Sequence, residues 1–151
     1  MATTRLSAIE RTFRDFIDAI APAPIALIGG LAVSARTEPR FTRDIDVAVA
    51  VADDESAEAI VPELVTAADS MTVLGRRVAV ATIGHLIALK LLARDDEHRP
   101  QDRVDLRALS VVATERDWRR AASAVKLIAV RGFSRGRDLT AALASWRAKS
   151  R

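Results

Sequence analysis

Cysteine is absent from the 151 residues, and histidine occurs only twice. The first absence excludes a disulfide framework, thiol catalysis and thiolate metal sites, and two isolated histidines argue against a histidine zinc site. Any metal bound here is therefore a hard ion held by oxygen. Aromatic side chains are also scarce, with four Phe and two Trp, so no base-stacking platform is evident. Long apolar runs are missing: none approaches the roughly 20 residues needed to cross a bilayer, and the opening MATTRLSAIERTF has no apolar signal segment. A cytoplasmic protein without membrane contact is the expectation. The excess of positive charge is slight, a formal +3 with a pI of about 10.1.

What is present is an ordinary globular composition, 50% hydrophobic and 28% charged, in a chain the length of one domain. Leu6, Ile9, Phe13, Phe16, Ile17 and Ile20 recur at helical spacing, which predicts an amphipathic helix over 4–20, stopped by Pro22 and Pro24. Asp53 suits the N-cap of a helix over 54–69, which Pro62 should kink or divide. Residues 71–81 read as two short strands about Gly75, or as one strand after a turn. Thr82 then caps IGHLIALKLLAR, a helix apolar on nearly every side and so buried; Lys90 in its middle needs a partner. Pro100 opens a helix on which Asp102 and Asp105 share a face, with Val104, Leu106 and Leu109 as the apolar side. Thr114 caps a helix over 115–130, and Leu139, Leu143 and Trp146 form the stripe of a last one. His85, Trp118 and Trp146 read as packing residues. Arg131, Arg135, Arg137, Arg147, Lys149 and Arg151 near the C-terminus form either a surface for a polyanion such as RNA or a solvated helix with a basic tail.

The expected fold is α/β of the α+β kind. A single domain is divided into a core over 1–81 with a short mixed sheet and a helical part over 82–151. Within it, residues 25–51, IALIGGLAVSARTEPRFTRDIDVAVAV, look built for chemistry. Ile25 to Ile28 form an apolar strand, Gly29-Gly30 break it, Leu31 to Ala35 continue as a short helix, and Asp44 to Val51 form a second strand. Period-2 geometry puts Asp44 and Asp46 on one face, where their repulsion is relieved by a divalent cation or a fixed basic partner.

An apolar strand ending in Gly29-Gly30, thirteen further residues, then Asp44-Ile45-Asp46 resembles the signature of the DNA polymerase β type nucleotidyltransferase superfamily. A second block, TIGHLIALKLLAR and then RPQDRVDLRAL, is similar to the distal motif of AbiEii-type nucleotidyltransferases. There a helical Lys, here Lys90, is followed by an Arg, here Arg94, and an Asp-x-x-Asp-Leu helix, here Asp102 and Asp105. The resemblance spans roughly 25–112. It implies Mg²⁺-dependent transfer of a nucleoside monophosphate from an NTP to a hydroxyl, with RNA such as the tRNA 3′ end as acceptor, and a toxin paired with a cognate antitoxin protein.

The resemblance also assigns roles. Asp44 and Asp46 hold Mg²⁺; Gly29 and Gly30 bring the backbone to phosphate; Thr42 and Arg43 contact the nucleotide, with Arg36 or Arg40 equally suited to the charge role. Lys90 lies near the phosphates or pairs with the Asp102 and Asp105 helix. Asp105 joins Asp44, Asp46 and Lys90 as catalytic, and Arg94 and Asp102 help bind substrate. Gln101 stands where a Lys is common. Family members usually carry a third carboxylate on a further strand, yet residues 70–81 contain no Asp or Glu, so that strand is expected to be missing or shortened. Asp102 or Asp105 would then stand in for it. The alternative is a non-catalytic nucleotide-binding or partner-binding module on the same fold.

Overall fold

Four residues, Ile25–Ile28, form strand β1, around which the sheet is assembled in the computed structural model; it describes residues 2–40, 42–50 and 60–151, with side chains from residue 8 onward. On one side β2 (Asp46–Val49) runs antiparallel, with Ile28 opposite Asp46 and Ile25 opposite Val49. The outer β3 (Asp69–Val73) and β4 (Arg76–Val80) form a hairpin whose turn residues, Leu74 and Gly75, both have positive φ. That left-handed backbone suits the twist of a tight hairpin. β4 pairs in parallel with β1, Leu27 opposite Val80, giving the order β2-β1-β4-β3.

The mixed sheet and the helix-rich C-terminal half agree with the expected α+β class. Among the described residues there are seven helices: α1 (Ala2–Ile20), α2 (Gly29–Arg36), α3 (Val61–Ala67), α4 (Ile83–Ala93), α5 (Pro100–Val112), α6 (Glu115–Val130) and α7 (Leu139–Lys149). None is long and apolar enough to cross a membrane. Helix α4 is the centre of the helical part and packs against α2, α5, α6 and α7. Gly84 lets α6 approach it closely, since a Cβ there would overlap the carbonyl of Asp117. Thr82 caps α4 by accepting from the His85 amide, and Thr114 and Asp117 form a reciprocal capping box on α6.

Several expectations need correcting. The second strand begins at Asp46, so Asp44 lies ahead of it and outside its period-2 face. Gly29 and Gly30 do not separate strand from helix; they are the first turn of α2. Pro62 sits in the first turn of α3, where its missing N–H breaks no helical bond, so it starts the helix instead of kinking it. Asp53 lies outside the described residues. Val104 is exposed, not part of the α5 core face, which is Leu106 and Leu109. The segment expected to lack a strand or hold a shortened one carries β4, five residues paired with β1.

Candidate functional site

The turn from β1 into α2 brings chain segments unusually close, and the two glycines differ in what they admit. Gly29 has φ +67, and a Cβ there would overlap the Asp46 carboxylate, which arrives beside it because Asp46 pairs with Ile28. Gly30 faces other groups: an ideal Cβ would lie 2.9 Å from Arg40 Nη2 and 3.1 Å from Thr42 Oγ1. A carboxylate therefore stands over one glycine, a guanidinium and a hydroxyl over the next. The N-cap residue of α2, Ile28, offers no side-chain acceptor to the first amides of the helix. Asp44 and Asp46 are both exposed, and no described residue forms a hydrogen bond or ion pair with either carboxylate. These are oxygen donors suited to a hard cation. No group of three or more acidic or histidine side chains among the described residues is arranged to hold an ion by itself.

Arg40 connects this turn to the helical part. Its Nε donates to Asp105 Oδ1 at 2.9 Å and its Nη2 to Asp105 Oδ2 at 2.8 Å, a two-pronged contact that fixes the guanidinium plane. Lys90 Nζ lies 2.8 Å from Asp105 Oδ2 and 2.8 Å from Asp102 Oδ1. Gln101 Nε2 donates to Asp105 Oδ1 at 3.3 Å. Lys90, Asp102 and Asp105 are all buried, which explains why a cation is tolerated in the apolar α4: it is paired twice with carboxylates on α5. Asp102 Oδ2 is the weak point. It lies 3.2 Å from Arg99 Nε without hydrogen-bond alignment and is a buried acceptor with no hydrogen bond among the described residues. Burial alone would raise the Asp105 carboxyl, but hydrogen bonds from Lys90 and Arg40 outweigh it and hold the group below its ordinary 3.8. A carboxylate so held is a poor acceptor of a substrate proton near neutral pH.

The structure thus joins Gly29, Gly30, Thr42 and Asp46 to Lys90, Asp102 and Asp105 through Arg40, the one arginine of the expected pair that faces the turn. Arg36 is used elsewhere: it donates to the carbonyls of Ala81 and Val80 at 3.0 and 2.9 Å and to Asp69 at 2.8 Å. Asp69, one residue ahead of the acid-free segment, begins β3. It lies three strands from Asp46 across the sheet, about 14 Å at ordinary strand spacing, too far to share an ion with it. On β4, next to β1, the site end carries Val80 and then Ala81, with no carboxylate.

Other predicted residues lie apart. Arg94 turns to Asp96, with bonds of 2.7 and 2.6 Å, and over the Trp146 ring, 5.2 Å from its centroid. Arg43 is exposed. Of the basic C-terminal residues, Arg131 pairs with Glu63, Arg147 with Glu115, and Arg137 donates to the Arg94 carbonyl, so half of that group serves the fold. His85 is buried beside Thr82, Nδ1 3.2 Å from its hydroxyl. Burial, then the charge of Arg120, pushes its pKa down to about 4, so the ring is neutral and structural. Clefts of about 500 Å³ between α6 and α7 and about 410 Å³ between α4 and α7 involve neither the glycine turn nor Arg40. Neither the models of known protein families nor the curated protein sequences contain a match to this chain.

Proposed function

We propose that this chain is a Mg²⁺-dependent nucleotidyltransferase of the DNA polymerase β-like superfamily, of the AbiEii type. It would transfer a nucleoside monophosphate from an NTP to a hydroxyl, the new ester bond forming at the α-phosphate as pyrophosphate leaves, with the 3′ end of tRNA or another RNA as acceptor. The observation that carries the reading is the bidentate Arg40 to Asp105 contact. It places the two blocks that bear the family resemblance, separated by tens of residues, in one constellation around the Gly29-Gly30 turn.

In this reading the first amides of α2, free of any N-cap side chain, donate to phosphate oxygens at the glycine turn, where the lack of a Cβ lets the Asp46 carboxylate and the Arg40 guanidinium close in. Arg40 and Thr42 supply a cation and a hydroxyl over Gly30. Asp44 and Asp46 would hold Mg²⁺, which usually takes one or two carboxylates together with substrate phosphates. That donor set fits an ion arriving with the nucleotide. When bound, Mg²⁺ would neutralise phosphate charge and favour attack on the α-phosphate. Lys90 pairs with both α5 carboxylates behind Arg40 and so lessens the repulsion of the nucleotide by that wall of the site.

A second reading is a non-catalytic nucleotide-binding module on the same fold, favoured by the lack of a third carboxylate beside Asp44 and Asp46 among the described residues. Incubation with each α-labelled NTP, Mg²⁺ and total tRNA separates the two. Labelled RNA supports the enzyme; NTP binding by calorimetry without transfer supports the module; absence of both refutes both. A cognate antitoxin remains part of the proposal through the resemblance alone, and co-expression with a neighbouring open reading frame tests it.

A further inference from the structure

We infer that Asp105 is a positioning residue that acts through Arg40, and is neither a metal ligand nor a proton acceptor in the reaction. The inference rests on the nucleotidyltransferase reading and deepens it by naming Arg40 as the cation that meets the triphosphate. Both Asp105 oxygens are already taken: Oδ1 receives Arg40 Nε and Gln101 Nε2, and Oδ2 receives Arg40 Nη2 and Lys90 Nζ. A carboxylate with both oxygens so engaged, 1% exposed, has no lone pair directed at an ion in the turn. What it does determine is the plane of the guanidinium. An arginine side chain has several freely rotating bonds, and a two-pronged carboxylate clamp removes that freedom before a ligand arrives.

The guanidinium held in this way lies over Gly30, in the space a side chain would otherwise fill, and is only partly covered, at 27% exposure. Lys90 sets the strength of the clamp from behind. It keeps Asp105 ionised and shares its second oxygen, while pairing also with Asp102. Arg36, the other arginine near the turn, is held away from the role, because its Nε and Nη2 donate to Ala81, Val80 and Asp69 at the end of β4 and the start of β3.

The test measures Mg²⁺-tripolyphosphate binding by calorimetry, which reports the phosphate contact without any chemical step. Wild type is compared with Arg40→Gln, Asp105→Asn, the double variant, and Arg36→Gln as a control. Arg40→Gln and Asp105→Asn should each weaken binding by about 10- to 100-fold, the range for a charge-assisted contact. The double variant should be within about threefold of the weaker single one, because the two residues act as one unit. Arg36→Gln should stay within about threefold of wild type. The Mg²⁺ concentration giving half-maximal NMP transfer should be the same in Asp105→Asn as in wild type.

Full additivity of the two losses, unchanged binding in Asp105→Asn, or a raised Mg²⁺ requirement in that variant would each overturn the inference while leaving the nucleotidyltransferase reading intact. If wild type binds neither tripolyphosphate nor any NTP, that reading fails and the inference fails with it. Should Asp105→Asn lose the wild-type circular dichroism, the Arg40 Nε–H resonance of ¹⁵N-labelled wild type decides, assigned by its loss in Arg40→Lys. Tripolyphosphate should shift it, and an unmoved resonance overturns the inference.

Discussion

Replacing Lys90 by Met removes one cation from between two buried carboxylates while keeping the length and apolar stem of the side chain. Asp105 and Asp102 are not left equally exposed to the loss. Asp105 keeps two bonds from Arg40, whereas Asp102 keeps only the poorly aligned Arg99 at 3.2 Å. At 1% exposure Asp102 has little access to water, so without Lys90 it is left as a buried carboxylate short of its partner. Removing one member of a buried ion pair costs roughly 3–5 kcal/mol. Urea unfolding of Lys90→Met at pH 7 should therefore show a deficit of that size against wild type. Adding Asp102→Asn to Lys90→Met should recover most of it, and adding Asp105→Asn should not. A deficit below about 1 kcal/mol at pH 7, or repair by Asp105→Asn alone, would refute the reasoning.

Four further outcomes follow. Gly29→Ala forces a Cβ into left-handed backbone and into the Asp46 carboxylate, whereas Gly75→Ala, at φ +76, meets nothing within 4 Å. Thermal or urea unfolding should show about 1–2 kcal/mol lost at Gly75 and more at Gly29. The buried His85, with its pKa near 4 against an ordinary 6.5, contributes stability fully present above pH 6.5 and lost as pH falls towards 4, up to about 3 kcal/mol. A His85→Leu variant should have a flatter stability profile across that window when unfolding is followed by circular dichroism. Asp105, with its lowered pKa, adds a loss that begins near pH 3.8 and grows in stronger acid; an Asp105→Asn variant lacks it in the same titration. Thr114→Ala removes one half of the α6 capping box and should cost about 1 kcal/mol in urea unfolding, with Asp117→Ala in the same background adding much less than it does alone.

Local chemistry was legible where a few neighbouring residues decide it. Thr82 and Thr114 announce helix starts because a hydroxyl followed by free amides needs only one turn of chain, and both cap as expected. Lys90 declared its need for a partner because an isolated cation in an apolar helix is too costly. Asp102 and Asp105, three apart, had to share a face. What decided between Arg36 and Arg40 was tertiary. The end of β4 lies beside the end of β1, so its carbonyls and Asp69 draw in Arg36, while the loop that returns to β2 delivers Arg40 to α5. Arg94 was drawn away for the same kind of reason, by Asp96 and the Trp146 ring of a distant helix. Pro62 was misread because the position of a proline relative to a helix start, not its presence, decides whether it breaks or begins the helix. Of the two readings that residues 71–81 allow, two short strands about Gly75 or one strand after a turn, the structure has the first, with β4 next to β1. The lack of a carboxylate on β4 was plain, but only the sheet order shows that Asp69 is too distant to replace one.

The central claim is that the Gly29-Gly30 turn and the acids beside it perform nucleotidyl transfer, and the most direct measurement compares wild type with Asp46→Ala for label passed from α-labelled NTP to total tRNA in Mg²⁺. Wild type should label RNA, and Asp46→Ala, whose missing carboxylate costs several kcal/mol of charge stabilisation, should fall by about a thousandfold or more while unfolding at an unchanged urea midpoint. Equal labelling by the two proteins, or no labelling by a wild type that also binds no NTP, would contradict the account.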